Sequence, residues 1–203
     1  MTVVDKSYKE QLIIEAAQKR FGMLGIEKTS MQEIADDLKL SKASLYYYFP
    51  DKESLYKSVI EKEQDEFIKR ITEKVLSINQ PDKLLREYVN ARLSYFHTLL
   101  NLSRLRLEAY SDLRPIFRET IISFREKEKE IVEKIFVDGI KKGIFYMDNP
   151  DKTASLFLEI LKGLRVSVVN HKKTLFIEPG EYQKLIDNTI AFTEIFIKGI
   201  TIK

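Results

Sequence analysis

The chain contains no cysteine and only two histidines, His97 and His171, among its 203 residues. The absence of cysteine excludes a disulfide framework, thiolate metal sites and a cysteine nucleophile. With so few histidines a histidine-rich metal centre is not expected, and the sequence predicts no bound metal and no cofactor. No apolar run approaches the length of about 18 residues that crosses a bilayer, so no membrane span is predicted.

The N-terminal residues also lack a long apolar stretch behind basic residues, so they do not form a secretory signal. We therefore expect a soluble protein of the cytoplasm. Apolar residues make up 44% of the chain and charged residues 32%, and the formal net charge is +3. This composition and length allow a real hydrophobic core, in one large domain or two small ones.

Glycine and proline are scarce, with 7 and 5 residues, and they are spread along the chain. This distribution favours long helices with short breaks over an all-β fold. Apolar residues recur at intervals of three and four, which predicts an all-α fold of about nine helices. The first ends near residues 22–25, and the others cover about residues 31–38, 42–49, 52–77, 81–99, 103–110, 115–142, 150–171 and 182–200.

Several residues are suited to end these helices. We expect Ser30, or Thr29 before it, to cap the second helix and Ser41 to cap the third. A hydroxyl group can accept a hydrogen bond from a free backbone N–H. Asp51 is expected to cap the fourth helix, and Gly143 to end the seventh. The alternating charges of residues 125–130 are typical of a solvated helix face.

The second and third helices are joined by a three-residue turn, Lys39–Leu40–Ser41. A helix-turn-helix motif has this spacing, with its second helix in the major groove of DNA. At about 100° per residue, Leu45 and Phe49 share the buried face of the third helix. The residues that project away from that face are Ala43, Tyr46 and Tyr47, with Lys42, Ser44 and Tyr48 on its flanks.

Three consecutive tyrosines, Tyr46–Tyr48, are the most informative feature of this helix. Their hydroxyl groups can donate to phosphates, and their rings can contact thymine methyl groups and sugars. The alternative is that they only cover the joint between the third and fourth helices.

The segments that carry these features are GIEKTSMQEIA at residues 25–35 and LSKASLYYYFPDKESL at residues 40–55. They resemble the DNA-binding domain of the tetracycline-repressor (TetR) family, over roughly residues 8–60. The resemblance implies a three-helix DNA-binding domain in residues 1–52 and a larger helical ligand-binding and dimerisation domain in residues 53–203. It also implies a dimeric repressor that binds a palindromic DNA operator and is released by a small molecule.

The resemblance further implies ten DNA-binding residues. These are Thr29 and Ser30 at a phosphate, Gln32 at a base edge, Lys42, Ala43 and Tyr46 at bases, Tyr47 between base and backbone, and Ser44, Tyr48 and Lys52 at phosphates.

Two features depart from the family pattern. The family often has glycine in the turn where this chain has Lys39, and a positive φ there would cost lysine about 1 kcal/mol. Residues 1–52 also carry as many acidic as basic side chains, so we expect weak non-specific DNA binding. If Lys28, Lys42 and Lys52 act in both subunits, about six phosphates are neutralised and log K falls with log salt at a slope of about −5.

The last two helices carry more apolar residues than one narrow stripe requires, so we expect a four-helix dimer interface between two chains. The expected interface residues are Phe157, Ile160, Leu161, Leu164, Val168, Leu185, Thr189, Phe192 and Phe196. The alternative is that both helices are wholly buried within one subunit.

Large aromatic residues and arginines alternate between the fifth and seventh helices, which suits a mostly apolar, anionic effector in a pocket between helices. The candidate contacts are Tyr88, Arg92, Tyr95, Phe96, Arg106, Tyr110 and Phe117.

Two other classes of function compete with a DNA-binding regulator. An enzyme would need a nucleophile beside a base, a glycine-rich phosphate loop or paired metal ligands, and the sequence has none of these. An all-α ligand-binding or adaptor protein without DNA binding stays an alternative, because the N-terminal domain has no net charge.

Overall fold

The computed structural model describes residues 3–103, 107–169 and 178–202, and the regular elements of these residues are α-helices. In chain order they are α1 (Val3–Leu24), α2 (Met31–Asp37), α3 (Lys42–Tyr48), α4 (Lys52–Ser77), α5 (Pro81–Ser103), α6 (Leu107–Lys141), α7 (Pro150–Val169) and α8 (Pro179–Ile200). The predicted all-α fold is confirmed. No helix in the described ranges has an apolar stretch of the length needed to cross a bilayer.

The described residues form eight helices, where the sequence predicts about nine. The difference lies in α6, which is one helix over Leu107–Lys141 where two helices were expected to meet before Pro115. A proline inside a helix removes one backbone hydrogen bond and costs about 3 kcal/mol. Proline removes only its own N–H from the hydrogen-bond ladder, so α6 continues past residue 115 at that cost.

The described chain divides into two compact units. The first, here called the N-terminal unit, contains residues 3–64, 98–103 and 107–119. The second, the C-terminal unit, contains residues 65–97, 120–169 and 178–202. The proposed domain boundary after residue 52 therefore lies inside the N-terminal unit.

The first half of α4 packs against α1 within the N-terminal unit. The rings of Phe21 and Tyr56 meet edge to face, with their centroids 5.3 Å apart. Gln18 of α1 donates a hydrogen bond to Glu63 over 2.9 Å and accepts one from Lys62, also over 2.9 Å. These contacts attach the first half of α4 to α1.

Helix ends are fixed by the residues that the sequence predicts. The Asp51 carboxylate accepts a hydrogen bond from the backbone N–H of Ser54 over 2.6 Å, as expected of the α4 cap. Gly143 has a φ of +65° after the end of α6, and its N–H donates to the carbonyl of Ile140. Glycine adopts this left-handed conformation without steric cost, so Gly143 ends the helix as predicted.

An aromatic cluster forms the core of the C-terminal unit where α6, α7 and α8 meet. It consists of Phe136, Phe145, Phe157, Phe192 and Phe196, with neighbouring ring centroids 4.8 to 6.4 Å apart. Aromatic pairs at such distances add to the free energy gained from burial alone.

Phe145 also approaches the backbone of α6 closely. A Cβ atom built at Gly139 would lie 2.1 Å from the ring of Phe145, so only glycine fits there with the ring in this position. An isolated antiparallel bridge joins Phe145 to Thr201 and fixes the segment after α6 beside the end of α8.

Candidate nucleic-acid interface

The helix-turn-helix motif consists of α2, the turn of residues 38–41, and α3. Ser30 caps α2 in a capping box: its hydroxyl accepts from the N–H of Glu33, while the Glu33 carboxylate accepts from the N–H of Ser30. Ser41 caps α3 by accepting from the N–H of Ser44 over 3.1 Å. The predicted caps Ser30 and Ser41 are confirmed.

The turn between these helices contains the one residue other than glycine with a positive φ in the described chain, Lys39, at +54°. Its N–H donates to the carbonyl of Asp36, and the N–H of Leu40 donates to the carbonyl of Ala35. This pair of hydrogen bonds is a Schellman motif, which favours glycine at the position that Lys39 occupies. The position where the family often has glycine therefore does require a positive φ, and Lys39 bears the corresponding steric cost.

The two faces of α3 differ sharply in exposure. Leu45 is fully buried and Phe49, just after the helix, is 7% exposed, so both anchor α3 to the unit. Ala43, Tyr46 and Tyr47 lie on the exposed face, which is the orientation that the sequence predicts.

The residues beside that face are divided between surface and core. Lys42 is exposed, while Ser44 and Tyr48 are half-buried. The ring of Tyr48 meets that of Tyr47 edge to face, with centroids 5.2 Å apart.

The exposure of the tyrosines bears on the alternative in which they cover the joint between α3 and α4. Tyr46 is 41% exposed and Tyr47 is 67% exposed. The ammonium group of Lys42 lies 5.8 Å from the ring centroid of Tyr46, within the range of a cation–π contact. Their exposed rings are therefore available to a partner, and Tyr48 is the only one of the three that is half-buried.

Thr29 and Lys52 hold the loop between α1 and α2. Thr29 is 2% exposed, and its hydroxyl donates to the carbonyl of Gly25 over 2.9 Å. The Lys52 ammonium group donates to the carbonyls of Ile26 and Thr29, over 2.8 and 3.1 Å. Because loop carbonyls need partners, these two residues have an internal role in the folded chain, and their phosphate contacts stay predictions. Thr29 does not cap α2 either, because Ser30 does.

Gln32 is exposed on α2, and its amide donates to the carboxylate of Asp36 over 2.7 Å. This bond leaves its carbonyl oxygen and a second N–H for a base edge. Gln32 therefore keeps its proposed role, in a fixed orientation.

An arginine of α1 pairs with two acidic side chains of α2. Arg20 donates two hydrogen bonds to Asp37, over 2.6 and 2.8 Å, and contacts Glu33 over 3.3 Å. The hydrogen bonds from Arg20 hold the pKa of Asp37 below its usual value. The pKa of Glu33 is lowered mainly by the backbone N–H and hydroxyl of Ser30. The single charge of Arg20 thus faces two acidic side chains and compensates one of the two negative charges.

The candidate effector residues lie in the C-terminal unit as far as they are described. Tyr88 is fully buried and Arg92 is 8% exposed, and both donate to one carboxylate oxygen of Glu128 over 2.7 Å. Burial and the neighbouring carboxylate raise the pKa of Tyr88 well above its usual value, so its hydroxyl stays protonated.

Glu128 is the residue of this site that sequence reasoning missed. The alternating charges of residues 125–130 predict a solvated helix face, but Glu128 is 2% exposed. A usable signal was its position four residues after Phe124 and four before Val132, in the apolar stripe of α6.

Of the other effector candidates, Tyr95 and Phe96 have described side chains. Tyr95 is buried and stacks on Phe67, with centroids 4.7 Å apart, while Phe96 is half-buried. Arg106 lies outside the described residues, as do the side chains of Tyr110 and Phe117.

A cleft of about 330 Å³ lies elsewhere in the C-terminal unit, between the end of α4 and the last turns of α6. Its lining includes Asn79, Leu84 and Lys141, and it contains none of the candidate effector residues.

The candidate dimer residues on α7 and α8 fall into two groups. Four have almost no free surface in their own chain, at most 3% exposed: Phe157, Leu161, Leu185 and Thr189. The other five are half-buried: Ile160, Leu164, Val168, Phe192 and Phe196. The first group packs into its own subunit, as the aromatic cluster around Phe157 shows, so it has no surface left for a partner. The exposed apolar residues on these helices are instead Leu156, Ile190 and Ile195, which are 54%, 41% and 70% exposed, and the marginally exposed Val166.

A capped α2, a left-handed turn and an α3 with one buried and one exposed face define a helix-turn-helix protein of the DNA-binding class. Comparison with known proteins agrees. Residues 13–59 match the model of the "Bacterial regulatory proteins, tetR family". A crystal structure of a transcriptional regulator from Cytophaga hutchinsonii is 39% identical, covers 96% of this chain and 99% of its own, and has a TM-score of 0.89. This chain belongs to the TetR family of transcriptional regulators.

Two further relatives define the range of the similarity. The uncharacterized HTH-type transcriptional regulator YuxN of Bacillus subtilis is 48% identical over 63 residues, which are 31% of this chain and 22% of YuxN. This match therefore spans about a fifth of that curated relative. A TetR-family transcriptional regulator from Pectobacterium atrosepticum is 17% identical but covers 100% of this chain and 99% of its own, with a TM-score of 0.78. At that identity the likeness shows the fold alone.

Proposed function

We propose that the protein is a dimeric transcriptional repressor that binds a palindromic DNA operator through α3 and is released by a small, mostly apolar effector. The observation that carries the proposal is the exposed face of α3. It presents Tyr46 and Tyr47 to solvent on a helix that Leu45 and Phe49 anchor firmly from the other side. A large exposed aromatic surface on a rigid short helix gains little stability for the fold and suits recognition of a partner.

We assign recognition of the DNA bases to the residues on the exposed face of α3. Lys42 can donate to guanine, Ala43 can contact a thymine methyl group, and the Tyr46 ring can lie against a base edge. Tyr47 extends from the groove towards the sugar–phosphate backbone. The hydroxyl groups of Ser44 and Tyr48 and the start of α2 at Ser30 supply phosphate contacts that fix the register.

The proposed dimer joins α7 and α8 of two chains. A single helix-turn-helix reads too few bases to select an operator, and a two-fold dimer matches a palindrome. The exposed Leu156, Ile190 and Ile195 supply apolar surface for such an interface, and the half-buried Leu164 and Phe192 can extend it.

The proposed effector site lies among the aromatic side chains of the C-terminal unit. Phe67, Tyr95 and Phe124 form a continuous ring cluster, with centroids 4.7 to 5.8 Å apart, which favours an apolar ligand. The guanidinium groups of Arg92 and Arg165 lie 4.6 and 4.0 Å from the Phe96 ring centroid. Since the charge of Arg92 is already paired with Glu128, we place an anionic end of the ligand on the Arg165 side of Phe96.

The test is selection of bound duplexes from a random DNA pool by the wild type and by Tyr46→Ala. Tyr146→Ala is the matched control, because Tyr146 is also an exposed tyrosine, at 69%, and lies in the C-terminal unit. We expect a palindrome to be enriched by the wild type and by Tyr146→Ala, and lost with Tyr46→Ala. Enrichment of no sequence by the wild type would favour the adaptor alternative, and enrichment unaffected by Tyr46→Ala would move recognition away from α3.

A further inference from the structure

The first turns of α1 contribute to the same surface as α3. Lys6 is exposed, and its ammonium group lies 5.4 Å from the ring centroid of Tyr47, within the range of a cation–π contact. Lys6 lies outside the helix-turn-helix motif, and the residue it touches, Tyr47, is the more exposed of the two exposed tyrosines of α3. Tyr47 thus has Tyr48 at one side and Lys6 as a charged neighbour.

This contact gains little for the stability of the fold, since an exposed cation–π pair contributes about 0.5–1 kcal/mol. Its effect on the charge of the DNA-facing surface matters more. Residues 1–52 carry no net charge, so DNA affinity depends on which cations lie at the recognition surface. Lys42 beside Tyr46 and Lys6 beside Tyr47 place one ammonium group at each exposed tyrosine.

The internal hydrogen bonds of Lys52 bear on which cations are suited to neutralise a phosphate. The Lys52 ammonium group already donates to two loop carbonyls, so it is a weaker candidate for neutralising a phosphate than the sequence implies. Lys6 has the exposure and the place beside a DNA-facing ring that such a contact needs.

We propose that Lys6 is a contact to the DNA backbone, supplied by α1 from outside the helix-turn-helix, and that the Tyr47 ring positions its ammonium group against a phosphate. This inference rests on the proposed DNA binding. Lys6 takes the place of Lys52 in the charge count, so about six phosphates are still neutralised per dimer and the salt slope stays near −5.

The test measures the affinity of full-length protein for the selected duplex by fluorescence anisotropy across a series of KCl concentrations. The variants are Lys6→Gln and, as a matched control, Lys19→Gln, which removes another exposed lysine from α1. Each lost phosphate contact changes the slope of log K against log salt by about 0.9, so two subunits give a change of about 1.8. We expect Lys6→Gln to change the slope from about −5 to about −3, while Lys19→Gln leaves it unchanged.

A double-mutant cycle tests the role of Tyr47. Tyr47→Phe keeps the ring and should keep the slope, whereas Tyr47→Leu removes the ring and should make the additional effect of Lys6→Gln smaller. An unchanged slope in Lys6→Gln would overturn this inference and leave the proposed function standing. Failure of the wild type to bind any duplex would overturn both.

Discussion

The Nε atom of Arg92 in α5 lies 2.7 Å from the Oε1 atom of Glu128 in α6, and both side chains are buried in the C-terminal unit. The hydroxyl of Tyr88 donates to the same oxygen. Burial by itself opposes the charge of Arg92, but the Glu128 carboxylate outweighs it and leaves the pKa of Arg92 raised. The two helices are therefore joined by a buried ion pair. Removing either side chain would leave the charge of the other buried without a counter-charge.

Removing one charge of this pair should destabilise the fold strongly. Glu128→Gln leaves the Arg92 charge buried without a counter-charge, and we expect a loss of about 3 kcal/mol in the free energy of unfolding. Lys127→Gln is the control, because the ion pair of Lys127 with Asp65 is exposed and should contribute less than about 1 kcal/mol. Urea unfolding measures both.

The double variant Arg92→Met/Glu128→Gln separates the pair from general damage. It should be less destabilised than the sum of the single variants by at least about 1 kcal/mol, because neither unpaired charge remains. Simple additivity would show that the two charges are not coupled.

The bond between Arg20 and Asp37 should make the N-terminal unit sensitive to acid. The folded-state pKa of Asp37 lies below its usual value of 3.8, so folding favours the carboxylate. This contribution to stability is present above pH 3.8 and is lost as the pH falls through the lowered folded-state pKa. The stability difference between the wild type and Arg20→Gln should therefore be largest at neutral pH and vanish in acid.

Thermal unfolding from neutral pH down through pH 3.8 measures this difference. Lys19→Gln, next to Arg20 on the same helix, is the control and should follow the wild type at every pH. A difference between the wild type and Arg20→Gln that persists at the lowest pH would show that Arg20 acts through packing and not through the carboxylates.

The left-handed Lys39 should be replaceable by glycine with a gain in stability. Lys39→Gly removes strain of roughly 1 kcal/mol, while the added flexibility of the unfolded chain offsets about half of that. We expect a net stabilisation of about 0.5 kcal/mol in chemical unfolding. Lys39→Ala controls for the lost charge, since it keeps a Cβ atom and the strain, and an equal gain in both variants would contradict the explanation.

The proposed dimer interface should be sensitive to charge at its most exposed apolar residue. Ile195→Glu places a carboxylate on a side chain that is 70% exposed on α8, and burying that charge between two chains would oppose association. We expect this variant to be a monomer in sedimentation, while Ile122→Glu, at a 49% exposed position of α6, stays a dimer. A dimer with Ile195→Glu would place the interface elsewhere.

The helix-turn-helix motif could be predicted from the sequence because its determinants are local. The Ser30 and Ser41 caps, the spacing of the buried residues and the turn at Lys39 depend on residues a few positions apart. The roles of Thr29 and Lys52 could not be predicted, because they depend on loop carbonyls that only the folded chain brings within reach.

Burial in the C-terminal unit was harder to predict for a related reason. Phe157 and Leu161 have the apolar character of an interface, but neighbouring helices of the same chain already cover them. Glu128 shows the converse, because a charged side chain lies in the core where a single arginine compensates it. An apolar or a charged face in the sequence does not specify which chain, or which partner, covers it.

The central claim is that α3 recognises a DNA sequence, and the most direct test is a competition between the selected palindrome and a scrambled duplex of the same composition. Both affinities are measured for the wild type, Tyr46→Ala and Tyr146→Ala at physiological salt. We predict that the wild type and Tyr146→Ala prefer the palindrome by about 1,000-fold or more, and that Tyr46→Ala loses most of this preference. Equal affinity of the wild type for the two duplexes would contradict the account.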